Sequence, residues 1–176
     1  MNILPRNTEN LDALDLGAGD GRLYKIFQHH HMKFHTYTAC DISEKLLKYH
    51  PNCTAKIICD LESPLSFSDN SFDLIFSFFV LEHIEKIDQL FNEVERILKP
   101  GAKRIVGHFF QRREFVRKKE TGKDKNNAHF DPFKIQMIMH RIQDLEKIAK
   151  KNLLSTEVIP IHEKGDVIGH ILVCAK

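Results

Sequence analysis

The sequence lacks any apolar run near the roughly 20 residues that a membrane-spanning helix needs. The longest, residues 74–81, is short and strand-like. It lacks the charged-then-apolar opening of a signal peptide, since it begins Met1-Asn2-Ile3-Leu4-Pro5-Arg6. Cysteine pairing at C-x-x-C spacing is missing, as are histidines at finger spacing, which argues against a zinc site. The four cysteines are Cys40, Cys53, Cys59 and Cys174. Three of them, Cys40, Cys59 and Cys174, fall in apolar strand-like stretches and are expected as reduced core thiols. An excess of one charge is also missing: 26 Lys and Arg face 24 Asp and Glu, for a net +2. The whole-molecule field therefore favours no particular partner. Repeats are absent. These absences lead to the expectation of a single soluble, cytoplasmic domain over residues 1–176, with no membrane partner.

What is present is an ordinary globular composition, 42% hydrophobic and 28% charged, over a length ample for one hydrophobic core. Strand-like and helix-like segments alternate, the pattern of a parallel sheet covered by helices. Strands are expected at residues 11–16, 34–40, 55–59, 72–80 and 104–110. The fourth is apolar throughout, as a strand buried on both faces would be. Between them, Leu23, Ile26 and Phe27 mark one helical face. Ser43 caps a short helix that Pro51 ends. Ile87, Leu90, Phe91, Val94, Ile97 and Leu98 form a clear helical stripe, which Pro100-Gly101 is expected to stop. Residues 111–128 are rich in Lys, Arg and Asn and are expected as a long loop. Ile135, Ile138, Ile142, Leu145 and Ala149 mark a further helix. Residues 156–162 and 166–174, joined across Lys164-Gly165, are expected as an antiparallel hairpin.

The first strand runs directly into Gly17, Gly19 and Gly21. A strand, glycines and a helix in immediate succession bring backbone N–H groups close to a ligand, because glycine has no Cβ to obstruct it. A tight turn without a ligand uses the same residues. The glycines stand as G-x-G-x-G, and Arg22 occupies the place of the third glycine in a dinucleotide fingerprint, which disfavours a nicotinamide oxidoreductase. Asp41 ends the second strand, 20 residues after Gly21, where a carboxylate can accept both ribose hydroxyls. Asp60 ends the third. Either acid is also at home as a turn or helix cap.

These residues resemble class I S-adenosylmethionine-dependent methyltransferases, in particular their small-molecule and ubiquinone-biosynthesis-like branch. Leu14-Asp15-Leu16-Gly17-Ala18-Gly19-Asp20-Gly21 is similar to motif I of that family. Asp41 and Cys59-Asp60-Leu61 stand where its ribose and adenine acids do. The segments Ser68-Asp69-Asn70-Ser71-Phe72-Asp73-Leu74-Ile75-Phe76-Ser77, Leu81-Glu82-His83-Ile84 and Glu95-Arg96-Ile97-Leu98-Lys99-Pro100-Gly101 extend the likeness from about residue 11 to residue 110. The resemblance implies a Rossmann-like α/β fold, with helices on both faces of a seven-stranded sheet in the order 3-2-1-4-5-7-6 and strand 7 antiparallel. It also implies S-adenosylmethionine as cofactor. Gly17, Ala18, Gly19 and Gly21 would run along its methionine portion, with Asp15 near its amino group. Asp41 would hold the ribose, Ile42 would pack on adenine, and Asp60 and Leu61 would frame the base. Phe78 and Phe79 would lie beside the sulfonium.

Methyl transfer from an activated sulfonium demands mostly alignment, which alone supplies roughly 7–11 kcal/mol. No metal is signalled. His83, which follows the fourth strand on the ligand-binding edge, is the candidate general base, with a capping or packing role as its alternative. His108 and His129 flank the basic loop. That loop carries Arg112, Arg113, Arg117, Lys118, Lys119, Lys123 and Lys125, and it is either a solvated segment or a clamp for an anionic acceptor such as RNA or a phosphorylated metabolite. The acceptor stays open: a small molecule, or RNA or protein through residues 111–128. A second copy of the chain is a further candidate for closing the site. A non-catalytic S-adenosylmethionine-binding module is the main rival.

Overall fold

The computed structural model describes residues 4–5, 7–107, 140–152, 154–163 and 166–176. Its strands are β1 (Asp12–Leu16), β2 (Thr36–Asp41), β3 (Ala55–Ile58), β4 (Phe72–Phe78), β5 (Leu98–Gly107), β6 (Ser155–Glu163) and β7 (Asp166–Ala175). The helices are α1 (Arg22–His29), α2 (Glu44–Tyr49), α3 (Ile87–Ile97) and α4 (Ile142–Lys151), and a single 3-10 turn spans Leu81–His83. The strands form one seven-stranded sheet in the order β3-β2-β1-β4-β5-β7-β6. β1 to β5 pair in parallel, while β7 is antiparallel to both β5 and β6. This is the Rossmann-like α/β fold that the resemblance implies. The basic loop, His108, His129 and the early part of the expected fourth helix lie outside the described residues.

Each face of the sheet has its own cover. α3 places Ile87, Leu90, Phe91, Val94 and Ile97 against the side that also takes Leu145 and Ala149 of α4, Leu14, Ile75 and Leu172. Ala13, Tyr37, Leu74 and Phe76 point to the opposite side, where Phe27 of α1 packs on them. β4 sits between β1 and β5 with Leu74, Ile75 and Phe76 essentially inaccessible, which accounts for its unbroken apolar sequence.

Two sequence expectations are corrected. Pro100-Gly101 does not stop α3. The helix ends at Ile97, Leu98 is already extended (φ −78°, ψ 131°), and the chain enters β5 at once. Leu98 pairs with Phe72, and the register then shifts before Leu74 meets Lys103, with Gly101 at φ +78° inside that irregularity. The Pro-Gly pair therefore makes a bulge in a strand that has already begun. The second correction concerns the thiols: Cys40 and Cys59 are joined as a disulfide, with Cα atoms 5.9 Å apart. The parallel pairing of Cys40 with Ile57 and of Asp41 with Ile58 leaves Cys59 just beyond the ladder, within the roughly 4.4–6.8 Å a disulfide spans. Cys174 keeps its place in the core.

Candidate active site

β1 and β2 deliver their ends side by side at the carboxyl edge of the sheet. The glycine loop folds over β2 because the N–H groups of Gly17 and Ala18 both donate to the carbonyl of Cys40, at 2.7 and 3.0 Å. Asp41 is buried next to them. Its Oδ2 accepts from the Gly19 N–H and its Oδ1 from the Ser43 N–H, each at 2.8 Å. A carboxylate oxygen has two acceptor positions, so both oxygens keep capacity for a ligand hydroxyl. Ser43 in turn caps α2, its Oγ accepting from the Leu46 N–H at 3.2 Å.

The three glycines are required for different reasons. All have positive φ, +73°, +53° and +81° for Gly17, Gly19 and Gly21. A Cβ on Gly17 would overlap Val80 Cγ2, from the chain leaving β4. One on Gly21 would come within 2.6 Å of Pro51 Cδ and 2.7 Å of His50 Cδ2, at the end of α2. Among the described residues Gly19 has only Asp41 Oδ2 and Leu46 Cδ1 near its Cβ position, each at 4.0 Å. Gly17 and Gly21 thus let protein elements close on one another, and the space beside Gly19 and the Asp41 carboxylate is the cradle. Arg22 is exposed at the first position of α1, as a site without a pyrophosphate permits.

Asp15 lies deeper. It is 2% exposed, on the α1 side of the sheet, and the Tyr37 hydroxyl donates to its Oδ2 at 2.8 Å. Burial pushes the Asp15 carboxyl up to about 7, against the pull of the Tyr37 hydrogen bond and with help from the nearby Asp41 charge. Tyr37, similarly buried beside Asp15, holds its own proton far more tightly than a free phenol. Tyr37 was not among the sequence candidates. Its only trace in the sequence is its place in the strand expected at residues 34–40, which does not display its partner.

Asp60 is exposed just beyond β3 and closes its own turn, its Oδ1 accepting from the Glu62 N–H at 2.9 Å and its Oδ2 from the Ser63 hydroxyl at 3.2 Å. The Leu61 side chain is buried in the core, so what it offers a ligand is backbone. Glu62 Oε1 accepts from the Glu85 and Lys86 N–H groups just before α3, which ties this turn to the β4 exit. Arg96 holds the next stretch, donating to the Leu65 and Phe67 carbonyls and to Asp69 and Glu93. Ile42 is 69% exposed beside Asp41, an apolar surface of the kind that stacks on a base.

At the β4 exit, Phe78 packs toward the α1 side, and Phe79 turns at φ +58° with 41% of its surface exposed. A left-handed conformation in a bulky non-glycine residue is uncommon and collects at functional sites. His83 ends the 3-10 turn and is exposed. Its neighbour Glu82 is half-buried, and that burial raises its carboxyl pKa against the lowering influence of His83 and His140. The His140 ring nitrogen Nε2 lies 2.9 Å from the Ile84 carbonyl. Ala18 is buried against Leu47 and Ala39. Among the described residues no cluster of His, Cys, Asp or Glu could hold a metal ion, and no helix is long and apolar enough to cross a membrane.

Comparison with known proteins agrees with this geometry. A methyltransferase domain family model matches residues 14–106. A protein of uncharacterised function from Methanocaldococcus jannaschii is 27% identical over 159 residues, covering 90% of this chain and 74% of its own length. Demethylmenaquinone methyltransferase of Tropheryma whipplei is 30% identical over 116 residues, covering 62% of this chain; the chain spans 46% of that enzyme. An S-adenosylmethionine-dependent methyltransferase from Mesorhizobium loti superposes with a TM-score of 0.73 at 18% identity, over 99% of this chain and 94% of that one. The chain belongs to the methyltransferase domain family and carries the class I S-adenosylmethionine-dependent methyltransferase fold.

Proposed function

We propose that this chain binds S-adenosylmethionine along the edge formed by the ends of β1, β2 and β3 and transfers its methyl group to a small-molecule acceptor that enters over the β4 exit. The observation that carries the reading is the pairing of Gly19 with Asp41. A buried carboxylate, braced on both oxygens by backbone N–H groups, stands beside the one loop glycine that the other described residues do not crowd. That is the acceptor set a ribose diol requires. Ile42 then covers one face of the base, and the Asp60 turn with the Leu61 backbone borders its edge.

The sulfonium of the bound donor supplies the activated methyl group, so the work left to the protein is alignment. Phe79 stands at the point where acceptor and donor would meet, held there by the left-handed backbone at φ +58°. Where the acceptor atom must lose a proton, His83 receives it, with Glu82 and His140 setting the charge around it. The named activity of the Tropheryma whipplei relative, methylation of demethylmenaquinone, supports a small apolar acceptor, as does the exposed Phe79. The basic sequence of residues 111–128 supports an anionic group on that acceptor.

The test is a comparison of ligands followed by a search for product. S-adenosylhomocysteine at about 100 times its dissociation constant should stabilise the protein by roughly 2.7 kcal/mol, and NADH should not. Labelled methyl groups should then appear in the small-molecule fraction of a lysate, with a rate that falls as salt rises. Stabilisation by NADH alone would overturn the donor assignment. Binding of S-adenosylhomocysteine without methyl transfer to any fraction would favour a non-catalytic binding module. Label confined to RNA or protein would move the acceptor to that class.

A further inference from the structure

The disulfide between Cys40 and Cys59 occupies a place that an ordinary core crosslink would not need. Cys40 is the last residue of β2 before Asp41, and Cys59 follows β3 immediately before Asp60. Each cysteine is thus the covalent neighbour of one strand-end acid. Their backbones belong to the same framework: the Cys40 carbonyl receives both N–H bonds of the glycine loop, and the Cys59 N–H donates to the Asp41 carbonyl at 3.0 Å.

Without the sulfur bridge β3 itself is lightly held, and the turn after it is anchored only further on, by the buried Leu61 and by Glu62. β3 has four residues and lies at the sheet edge, where among the described residues it pairs only with β2. Its residues alternate between half-buried and exposed, with Ile58 58% exposed. A short edge strand with one partner opens locally more readily than a central one. The bridge pins its carboxyl end at the step where Asp60 must be positioned.

We propose that the Cys40–Cys59 pair is a redox switch on donor binding. As a disulfide it clamps the end of β3 and the Asp60 turn against the glycine loop. As two thiols it lets that wall move, and donor affinity falls. The inference rests on the reading of this edge as the S-adenosylmethionine site. Cys59 is the half-buried partner and Cys40 the fully buried one, so exchange begins at Cys59. One thiolate of a small-molecule or protein dithiol attacks Cys59 Sγ. The Cys40–Cys59 bond breaks, and Cys40 leaves as a thiolate that takes up a proton. The second thiolate of the reductant then attacks the mixed disulfide, releases Cys59 and leaves the reductant as its own disulfide. Two electrons and two protons pass to the protein, and re-oxidation by a disulfide such as oxidised glutathione reverses the transfer.

The experiment uses the full chain in two forms, one treated with dithiothreitol and one with oxidised glutathione, both freed of reagent. Thiols are counted by iodoacetamide labelling after denaturation without reductant, and S-adenosylhomocysteine binding is titrated by calorimetry. The oxidised form should label at two cysteines and the reduced form at all four. The oxidised form should bind at least about fivefold more tightly, the lower end of coupling measured between two sites. Cys59→Ser should bind like the reduced form and ignore the oxidant, and Cys53→Ala should keep the full redox response. Equal affinity in the two forms overturns the switch while leaving the donor site intact. Four labelled cysteines after oxidation overturn it as well. If neither form binds S-adenosylhomocysteine, it is the donor-site reading that fails, and the switch falls with it. Should Cys59→Ser not fold, the comparison of the two wild-type forms decides alone.

Discussion

Replacing Gly17 by alanine separates two costs that the glycine loop conceals. Gly17 sits at φ +73°, and its N–H is fixed to the Cys40 carbonyl at 2.7 Å, so the loop cannot rotate away from that conformation without losing its anchor. An L-residue in the left-handed region costs about 1–2 kcal/mol. The new methyl would also overlap Val80 Cγ2, and overpacking of this kind costs about 1–3 kcal/mol more. Gly101 provides the control. Its φ is +78°, yet among the described residues no atom lies within 4 Å of a Cβ placed there, so Gly101→Ala carries the backbone cost alone. In urea unfolding, Gly17→Ala should lose about 2–5 kcal/mol and Gly101→Ala about 1–2 kcal/mol. Adding Val80→Ala to Gly17→Ala should recover part of the excess, as a favourable coupling in the double-mutant cycle. Equal losses for the two glycine variants, or no coupling to Val80, would refute the steric argument.

Two further outcomes follow from the acids of the site. Asp41→Asn replaces one of two acceptors facing the Gly19 and Ser43 N–H groups with a donor. Hydrogen bonds to charged groups contribute about 1.5–3 kcal/mol, so S-adenosylhomocysteine should bind roughly 10- to 100-fold more weakly with the circular dichroism spectrum unchanged; unchanged affinity would remove Asp41 from the site. Asp15, raised to about 7, keeps a proton in the folded protein that the unfolded chain releases near pH 3.8. Stability should therefore fall as pH rises from about 4 to 7, by up to about 1.4 kcal/mol per pH unit. Asp15→Asn keeps an acceptor for the Tyr37 hydroxyl, so its stability relative to wild type should climb across that window and level off above it. An offset independent of pH, measured by urea unfolding at pH 5 to 8, would contradict the assignment.

Much of this site could be read from the chain because its residues mark element boundaries. Asp41 and Asp60 each follow an apolar strand, and the glycines interrupt a strand-to-helix step, so local pattern locates all of them. What escaped depends on contacts that sequence order does not display. Val80 dictates Gly17 from 63 positions away, and Tyr37 holds Asp15 across two strands. The bond between Cys40 and Cys59 depends on the register of β2 against β3, which no spacing rule encodes. Pro100-Gly101 departs from its usual meaning for a related reason. A proline and a glycine after a helical stripe ordinarily mark its end, but here Leu98 had already gone extended to pair with Phe72. Tertiary pairing outweighed a local signal.

The direct passage from α3 into β5 also decides where the molecule has slack. With no loop between Ile97 and Leu98, α3 hands the chain directly to β5, and the first irregularity after the helix is the bulge around Gly101. The longer irregular connection of this β4–α3–β5 unit is the one before α3, residues 79–86. There a left-handed Phe79, a single 3-10 turn and the Glu62 carboxylate on the Glu85 and Lys86 N–H groups stand where a longer helix would be stiff. Any movement of residues 79–86 is therefore felt directly by the glycine loop, because Val80 lies against Gly17.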